Sequence, residues 1–426
     1  MNLTSLFANP LTRNRDFRLL FSAQVISLIG SGVTTVGLAL FAHQLVGGGS
    51  AAVVIGNALM LRILAFLLFS QPAGILADRV NRKRILILAD VVRFGLLALF
   101  PFIESVWQVY VMIFLINAAT AFFTPIYDAS IPDVVGREHY VKALSLSRVA
   151  VDMEAMLAPM LAGLLVALLG LQWLFWFDAA SYLVSAALVA ASSLRYVSKP
   201  SPKFLPMAFM REMGFGIQML LREASLRRAL IFSFVEAIAG AAAIVATVVY
   251  VRETLGLGEN GFVIAMAAVG VGSTLTAIML GRATGRYESV ASNRVELHGL
   301  RHRWAERALL LGGFALGLLL LPGVLQPPLL VFALLWFFNG SGQALIAIPS
   351  STLLAEHTSE ANRGRVYAAY FALTHAFWLI TYPAIGYGTH SLGAPLTFTL
   401  AGVVCLLITL GVWLSRKPSP DHVHGG

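Results

Sequence analysis

Long apolar runs divide the chain into two sets of six, separated by shorter polar segments. The first set covers residues 19–42, 51–77, 84–103, 107–131, 143–169 and 171–194, and the second covers 228–251, 260–282, 306–322, 327–349, 364–388 and 393–415. An apolar run of roughly 20 residues can cross a bilayer as a helix, which satisfies its backbone hydrogen bonds within one segment. The pattern therefore predicts twelve transmembrane helices, here named spans 1 to 12 in chain order.

A polar stretch that contains Lys199-Pro200-Ser201-Pro202-Lys203 separates the two sets. This break predicts an N-terminal six-helix bundle over 1–195, a linker over 196–227, and a C-terminal six-helix bundle with a short tail over 228–426. Within the linker, residues 207–221 have a mildly amphipathic pattern. We expect them to form a short helix at the membrane surface.

Composition supports a membrane protein and excludes several other classes. Of the 426 residues, 58% are hydrophobic and 12% are charged, against about 25% charged in soluble domains. A single cysteine, Cys405, excludes an intramolecular disulfide and a cysteine-rich metal cluster. Because the chain has no phosphate-binding G-x-x-x-x-G-K-[ST], H-E-x-x-H or G-x-S-x-G motif, we expect neither an ATP-driven pump nor an enzyme. No cofactor is expected, and an ion gradient or the solute's own gradient would supply the energy.

The basic residues predict the orientation in the membrane. If both termini are inside, the inner segments hold 26 of the 30 Lys and Arg residues, and the outer loops hold only Arg252. This asymmetry predicts cytoplasmic termini in the inner or plasma membrane, since inner loops are enriched in basic residues. The positive charge is then a feature of topology, and no nucleic-acid partner is expected. The first apolar run is long enough to span, so we expect a retained helix and not a cleaved signal.

The loop after span 2 carries the most specific motif. Residues 74–83 read Gly-Ile-Leu-Ala-Asp-Arg-Val-Asn-Arg-Lys, which resembles the major facilitator signature G-x-x-x-D-R-x-G-R-[RK]. Asn81 replaces the second glycine, and asparagine tolerates a left-handed backbone. The resemblance implies two helical bundles that alternate access to a central site, and a cytoplasmic gate closed against the start of span 11. The implied gating residues are Gly74, Asp78, Arg79, Arg82, Lys83, Asp90, Arg93, Arg363 and Arg365.

Other stretches resemble particular exporters. Two stretches, 122–135 and 175–182, are similar to bacterial exporters related to the enterobactin exporter. A third, 158–163, resembles the antiporter motif G-P-x-x-G-G with alanine in place of two glycines. These resemblances imply efflux of a small drug-like or siderophore-like molecule in exchange for protons. Residues 366–383 of span 11 resemble nickel-resistance exporters, which implies a nickel or cobalt cargo as the alternative. A lipid flippase on the same fold is a further alternative, and a monomer is expected.

Ionisable residues inside the apolar runs are the candidates for proton coupling and substrate binding, because charges at bilayer depth are costly. They are Arg62, Asp152, Glu154, Asp178, Glu236 and His375. Asp152 and Glu154 lie about 200° apart around one helix and cannot share a face. His375 together with a carboxylate could bind a divalent metal. Asp178 could instead bridge helices, and His375 could instead be a hydrogen-bonded packing residue.

Overall fold

The computed structural model describes residues 14–77, 81–194, 206–290, 294–359 and 362–415, and these are almost entirely helical. In the N-terminal half, the helices are Arg15–Val46, Gly48–Ala77, Arg82–Leu99, Val106–Leu169 and Gln172–Ala191. In the C-terminal half they are Ala224–Thr254, Glu259–Val290, Arg294–Leu320, Leu329–Glu356, Arg363–Leu392 and Ala394–Leu414. The Ala224–Thr254 helix contains two π-helical turns, Ala242–Ala246 and Tyr250–Thr254.

Ten helices within the described residues are long and apolar enough to cross a membrane, and they correspond to spans 1–4, 6–10 and 12. The other two predicted spans are also helical. Span 5 is the second part of Val106–Leu169, and span 11 is Arg363–Leu392. The all-α membrane fold is thus confirmed, and ten of the twelve predicted crossings meet these criteria.

Spans 4 and 5 meet at a single residue. The sequence predicts a polar connection between residues 131 and 143, but helical structure continues through it and breaks only at Gly136, with φ 75° and ψ 164°. A positive φ of this kind suits glycine, which has no Cβ to clash with the backbone. The connection between the two spans is therefore a kink and not a loop.

Some helices extend beyond their apolar runs. Span 9 begins at Arg294, twelve residues before the predicted start, because the helix continues into a charged segment. Span 1 begins at Arg15, where the Asn14 side chain accepts a hydrogen bond from the Phe17 amide at 3.1 Å. Hydropathy reports only the buried length of a helix, whereas the cap determines where the backbone starts to turn.

The helix ends define two sides of the bundle. The described chain begins and finishes at one end of the bundle, which we call the proximal end. The short links after spans 1, 3, 5, 7, 9 and 11 lie at the other end, which we call the distal end. The two halves meet chiefly through spans 2 and 11 and through spans 5 and 8. The main apolar core extends through both halves.

The linker contains the predicted amphipathic helix, which we call the linker helix, Pro206–Arg222. Its apolar face packs on protein, because Leu220 is buried together with Leu226, Leu354 and Val366. Gly216 lies directly against the backbone of Arg365. The linker helix therefore docks on the proximal ends of spans 7, 10 and 11.

Candidate functional site

A polar cavity lies inside the N-terminal half, surrounded by spans 1, 2, 4 and 6. Its polar lining consists of Ser31, Thr34, Thr35, Arg62, Asn117, Thr120, Asp178 and Tyr182, and its apolar lining of Leu38, Leu59, Ile113 and Ile116. Ligand sites combine apolar walls with a few convergent polar groups. The cavity brings together two residues predicted to act in coupling or binding, Arg62 and Asp178.

Arg62 and Glu154 lie near each other at membrane depth. The Arg62 Nη1 atom donates a hydrogen bond to Thr35 Oγ1 at 3.1 Å, and Glu154 is within electrostatic range of the guanidinium. Glu154 lies against Gly32 of span 1, where a side chain would collide with its carboxylate. Within the described part of the chain, Glu154 makes no hydrogen bond or ion pair. The charge that this carboxylate faces is therefore that of Arg62.

Asp178 is fully buried between span 6 and span 1. Its Oδ1 accepts a hydrogen bond from Ser181 Oγ at 3.2 Å, and Gly30 lies directly against the carboxylate. The Thr34 hydroxyl of span 1 also interacts with this carboxylate. Hydroxyl groups of spans 1 and 6 therefore both face the buried carboxylate.

Asp90 and Arg93 form a buried ion pair on span 3. Ser185 Oγ donates a hydrogen bond to Asp90 Oδ2 at 2.7 Å, and the guanidinium lies 4.5 Å from the Phe123 ring centre and 4.2 Å from that of Tyr182. Every contact described for this pair lies within the N-terminal half. The pair thus joins spans 3, 4 and 6, whereas the sequence places both residues in the gate.

The signature loop also makes contacts within the N-terminal half. Arg82 Nη1 donates to Asp133 Oδ2 at 2.7 Å and to the Ala129 carbonyl at 2.6 Å, while Lys83 Nζ donates to the Ser192 carbonyl at 2.7 Å. Asn81 does not adopt the left-handed backbone that asparagine tolerates. Its φ is −66°, because its side chain caps span 3 by accepting from the Arg84 amide at 3.3 Å.

The remaining gating residues are only partly described. Gly74 lies inside the span 2 helix, whereas Asp78 and Arg79 and the side chain of Arg363 lie outside the described residues. Arg365 contacts the linker helix: its Nη1 atom lies 3.2 Å from Glu212 Oε2, and its guanidinium lies 4.2 Å from the Phe215 ring centre.

The two halves touch at the distal end. Gly56 of span 2 lies against the backbone of Tyr382 in span 11, and Gly386 of span 11 lies against the backbone of Ala52. Asn57 Nδ2 donates to the Tyr387 hydroxyl at 3.5 Å, which also joins the halves. Small residues allow helix backbones to approach this closely in a membrane. The structure is therefore closed across the distal end of spans 2 and 11.

Comparisons with known proteins identify the family. A sequence model described as Major Facilitator Superfamily matches residues 20–297 and 299–426. The chain belongs to the major facilitator superfamily. It is therefore a multi-pass membrane transporter and not an enzyme.

Several relatives are efflux proteins at low identity. The chain is 25% identical to "Uncharacterized MFS-type transporter YfiS" of Bacillus subtilis over 95% of its own length and 93% of that protein's. It is 26% identical to macrolide efflux protein A of Streptococcus pyogenes, over 49% of this chain and 52% of that protein. It is 27% identical to the enterobactin exporter EntS of Shigella boydii, over 43% and 44%. The two exporters thus match over about half of their length.

Solved structures show the same fold. A point mutant of the nucleoside transporter NupG superposes with a TM-score of 0.71 at 13% identity, covering 95% of this chain and all (100%) of that one. A bacterial homologue of the human lysosomal transporter Spinster, inward-facing and unoccupied, gives a TM-score of 0.68 at 14% identity over 96% and 99%.

Three described candidates for coupling or binding, Glu154, Glu236 and His375, are not among the residues that line the polar cavity. His375 Nδ1 is 2.8 Å from the Phe371 carbonyl oxygen, and the centre of its ring lies 3.7 Å from that of Phe371, with the two rings tilted by 31°. Glu236 lies in the C-terminal half within electrostatic range of Tyr370, and the Asp152 side chain is outside the described residues. Within the described residues, no three His, Cys, Asp or Glu side chains are grouped to hold a metal. This gives the nickel alternative no geometric support.

Sequence reasoning missed the short polar residues of the cavity, above all Thr34, Asn117 and Thr120. It also missed Asp128, a half-buried carboxylate of span 4 without an ion pair to any described residue. The available signal was a cluster of three hydroxyl residues, Ser31, Thr34 and Thr35, inside an otherwise apolar span.

Proposed function

We propose that this transporter exports a small organic solute from the cytoplasm in exchange for protons, by alternating access. The observation that carries the proposal is the placement of Glu154. Its carboxylate lies in a membrane span, within electrostatic range of Arg62, and makes no hydrogen bond to the described residues. Such a group is costly in a bilayer and is expected to have a function.

Exchange follows if proton and cargo compete for Glu154. The deprotonated carboxylate offers one negative charge to the basic group of a cargo, while Arg62 is held by Thr35. Protonation removes that charge, leaves Arg62 to repel a cationic group, and so releases the cargo. Because each ligand binds only when the other is absent, each conformational cycle exchanges one for the other.

The closed distal end supports loading of the solute from the proximal side. In the predicted topology, 26 of 30 basic residues place the proximal end in the cytoplasm. A bundle closed distally by Gly56 and Gly386 would then admit solute from the cytoplasm. For the cargo class, the relatives named for macrolide efflux and enterobactin export favour organic molecules over metal ions.

The test uses inverted membrane vesicles with a respiration-driven pH gradient and a pH-sensitive dye. A panel of macrolides, catecholate siderophores, cationic dyes, nickel and cobalt is added in turn. We expect an organic compound to release protons from vesicles with the wild type, and Glu154→Gln to reduce this release at least about tenfold, because the proton acceptor is gone.

Glu259→Gln is the matched control. It makes the same change at the distal surface, where Glu259 lies 3.6 Å from Arg252, and should leave proton release within about twofold. Release by nickel or cobalt alone would contradict an organic cargo. Organic export that continues at the wild-type proton ratio in Glu154→Gln would contradict the role of Glu154.

A further inference from the structure

One face of span 11 carries a row of aromatic and imidazole rings. Its members are spaced three or four residues apart and therefore lie along one side of the helix; they are Tyr367, Phe371, His375, Trp378 and Tyr382. Two pairs of these rings are in contact, with ring centres 3.7 Å apart for Phe371 and His375 and 5.0 Å apart for Trp378 and Tyr382. We call this row the ring stripe.

The ring stripe faces the N-terminal half. Arg62 of span 2 lies within electrostatic range of both His375 and Tyr382. The backbone of Tyr382 also lies against Gly56 of the same span. The stripe therefore runs along the side of span 11 that is turned toward span 2, where the two halves meet.

The two ends of the ring stripe differ in exposure. Tyr382, at the distal crossing of spans 2 and 11, is only 9% exposed, whereas Tyr367 and Phe371, toward the proximal end, are 38% and 46% exposed. Ile380 is also exposed, but it points about 180° away from Phe371, on the outer side of the helix. Contiguous exposed apolar surface is one mark of a ligand-binding groove. The stripe is thus covered where the halves touch and accessible toward the proximal end.

The exposed rings match a flat aromatic group better than an aliphatic one. Aromatic rings attract one another in offset or edge-on contacts by more than their buried area accounts for. The Phe371 ring lies against that of His375, whose Nδ1 atom is 2.8 Å from the Phe371 carbonyl oxygen. Because these contacts already restrict both side chains, packing a ligand on Phe371 costs little further rotamer freedom.

We propose that the ring stripe binds a flat aromatic ring of the cargo and that Phe371 determines this specificity. The proposal rests on the proposed function in that the same cargo places its basic group at Glu154. Arg62 is within electrostatic range of both Glu154 and His375, so one small molecule can contact the two halves together. The stripe would select organic solutes that carry an aromatic ring over macrolides, whose large ring is aliphatic.

The first test measures binding to the purified full-length protein in nanodiscs and needs neither transport nor a proton gradient. The probes are naphthylmethyl-trimethylammonium and its saturated counterpart, decahydronaphthylmethyl-trimethylammonium, which share one permanent positive charge and one carbon skeleton. Burial of apolar surface alone favours the saturated probe, whereas ring contacts favour the flat one. After subtraction of binding to empty nanodiscs, we expect the flat probe to bind at least about fivefold more tightly. Equal affinities, or no binding of either probe, would overturn the proposal.

Phe371→Leu tests the residue, since it keeps an apolar side chain and removes the ring. We expect the preference for the flat probe to fall below about twofold in this variant and to be retained in Phe371→Tyr. Phe338→Leu is the matched control, because Phe338 is 47% exposed in a groove formed by residues of spans 9 and 10. A preference that survives in Phe371→Leu, or is lost equally in Phe338→Leu, would contradict the proposal.

Tyr367→Leu is the second variant, because it removes the other exposed ring of the stripe. We expect it to lower the preference for the flat probe at least about twofold. If Phe371→Leu failed to fold, an unchanged preference in Tyr367→Leu would by itself overturn the proposal.

Glu154→Gln separates this inference from the proposed function. It should weaken the binding of both probes alike, because they carry the same charge, and leave the preference for the flat probe within about twofold of the wild type. If it changes neither affinity, the proposed role of Glu154 fails, and the preference still decides whether the ring stripe binds a ring. If the wild type exports macrolides but no aromatic member of the panel, export of an organic solute stands and the ring stripe is wrong.

Discussion

The imidazole Nε2 of His43 lies 3.3 Å from the carboxylate oxygen Oε1 of Glu253, and the pair joins span 1 to span 7 at the distal end. The same oxygen accepts a hydrogen bond from the Gly48 amide at 3.3 Å, at the start of span 2. Glu253 therefore contacts two spans of the other half. With the crossing of spans 2 and 11, it closes the distal end in this structure.

Removal of this contact should open the distal end more often. Glu253→Gln removes the charge from a pair whose side chains are 9% and 48% exposed, a change worth at most about 1 kcal/mol, or roughly a fivefold shift in population. Spin labels at Val46 and Leu257, both exposed, would report it as a longer distance. Cys405, the only cysteine in the sequence, is buried. Wild-type protein treated with the spin label shows whether Cys405 reacts with it. An unchanged distance distribution in Glu253→Gln would contradict the prediction.

The crossing of spans 2 and 11 should not tolerate an added methyl group. In Gly56→Ala the new Cβ would meet the Tyr382 backbone, whereas in Gly95→Ala it would meet nothing within 4 Å. Overpacking of this kind costs about 1–3 kcal/mol. We expect thermal unfolding in detergent to occur at a lower temperature in Gly56→Ala only. Equal unfolding temperatures for the two variants would show that the crossing is looser than described.

Arg93 should be essential for stability and not only for gating. Replacement by methionine leaves Asp90 charged and buried, and the loss of one partner of a buried pair costs about 3–5 kcal/mol. We expect Arg93→Met to be poorly folded by size-exclusion chromatography and Asp90→Asn in the same chain to restore part of the yield. Arg84→Met, at an exposed position of the same helix, serves as the control. A well-folded Arg93→Met that fails only in transport would instead support the gate.

The docking of the linker helix should depend on Gly216. A Cβ at Gly216 would meet the backbone of Arg365, but at Gly214, two residues earlier, it would meet nothing within 4 Å. We expect Gly216→Leu to expose the linker helix to trypsin at Arg211 and Arg222 and to speed up cleavage several-fold, because cleavage needs an undocked backbone. Gly214→Leu should be cleaved at the wild-type rate. Equal rates in the two variants would mean that docking does not protect the linker.

The helices were predictable because an apolar run of membrane length has few alternatives to a helix. The interaction partners of the charged residues could not be predicted in this way. Arg62 and Glu154 belong to spans 2 and 5, and which helix faces meet depends on packing that no local pattern contains. Arg82 illustrates the same limit: the resemblance implies a part in the cytoplasmic gate, but it does not indicate the contact with Asp133 of span 4, at 2.7 Å in the structure.

The hydroxyl residues of the cavity were missed for a different reason. Ser31 and Thr35 each donate to a backbone carbonyl four residues earlier, at 2.8 Å and 2.9 Å. Serine and threonine commonly satisfy themselves in this way inside apolar helices. A hydroxyl in such a span therefore gives little indication of a site from sequence alone. Thr34 differs from Ser31 and Thr35 because its hydroxyl faces the Asp178 carboxylate of another span.

The position of the span 2–span 11 crossing makes the bundle a lever with unequal arms. Gly56 lies only eight residues from the distal start of span 2 at Gly48, but twenty-one residues from its described proximal end at Ala77. At 1.5 Å per residue the two arms are about 12 Å and about 32 Å long. Each degree of rotation about Gly56 would therefore move the proximal end by roughly 0.5 Å and the distal end by less than half as much. A change too small to break the distal contacts between spans 2 and 11 could therefore still widen the opening at the proximal end.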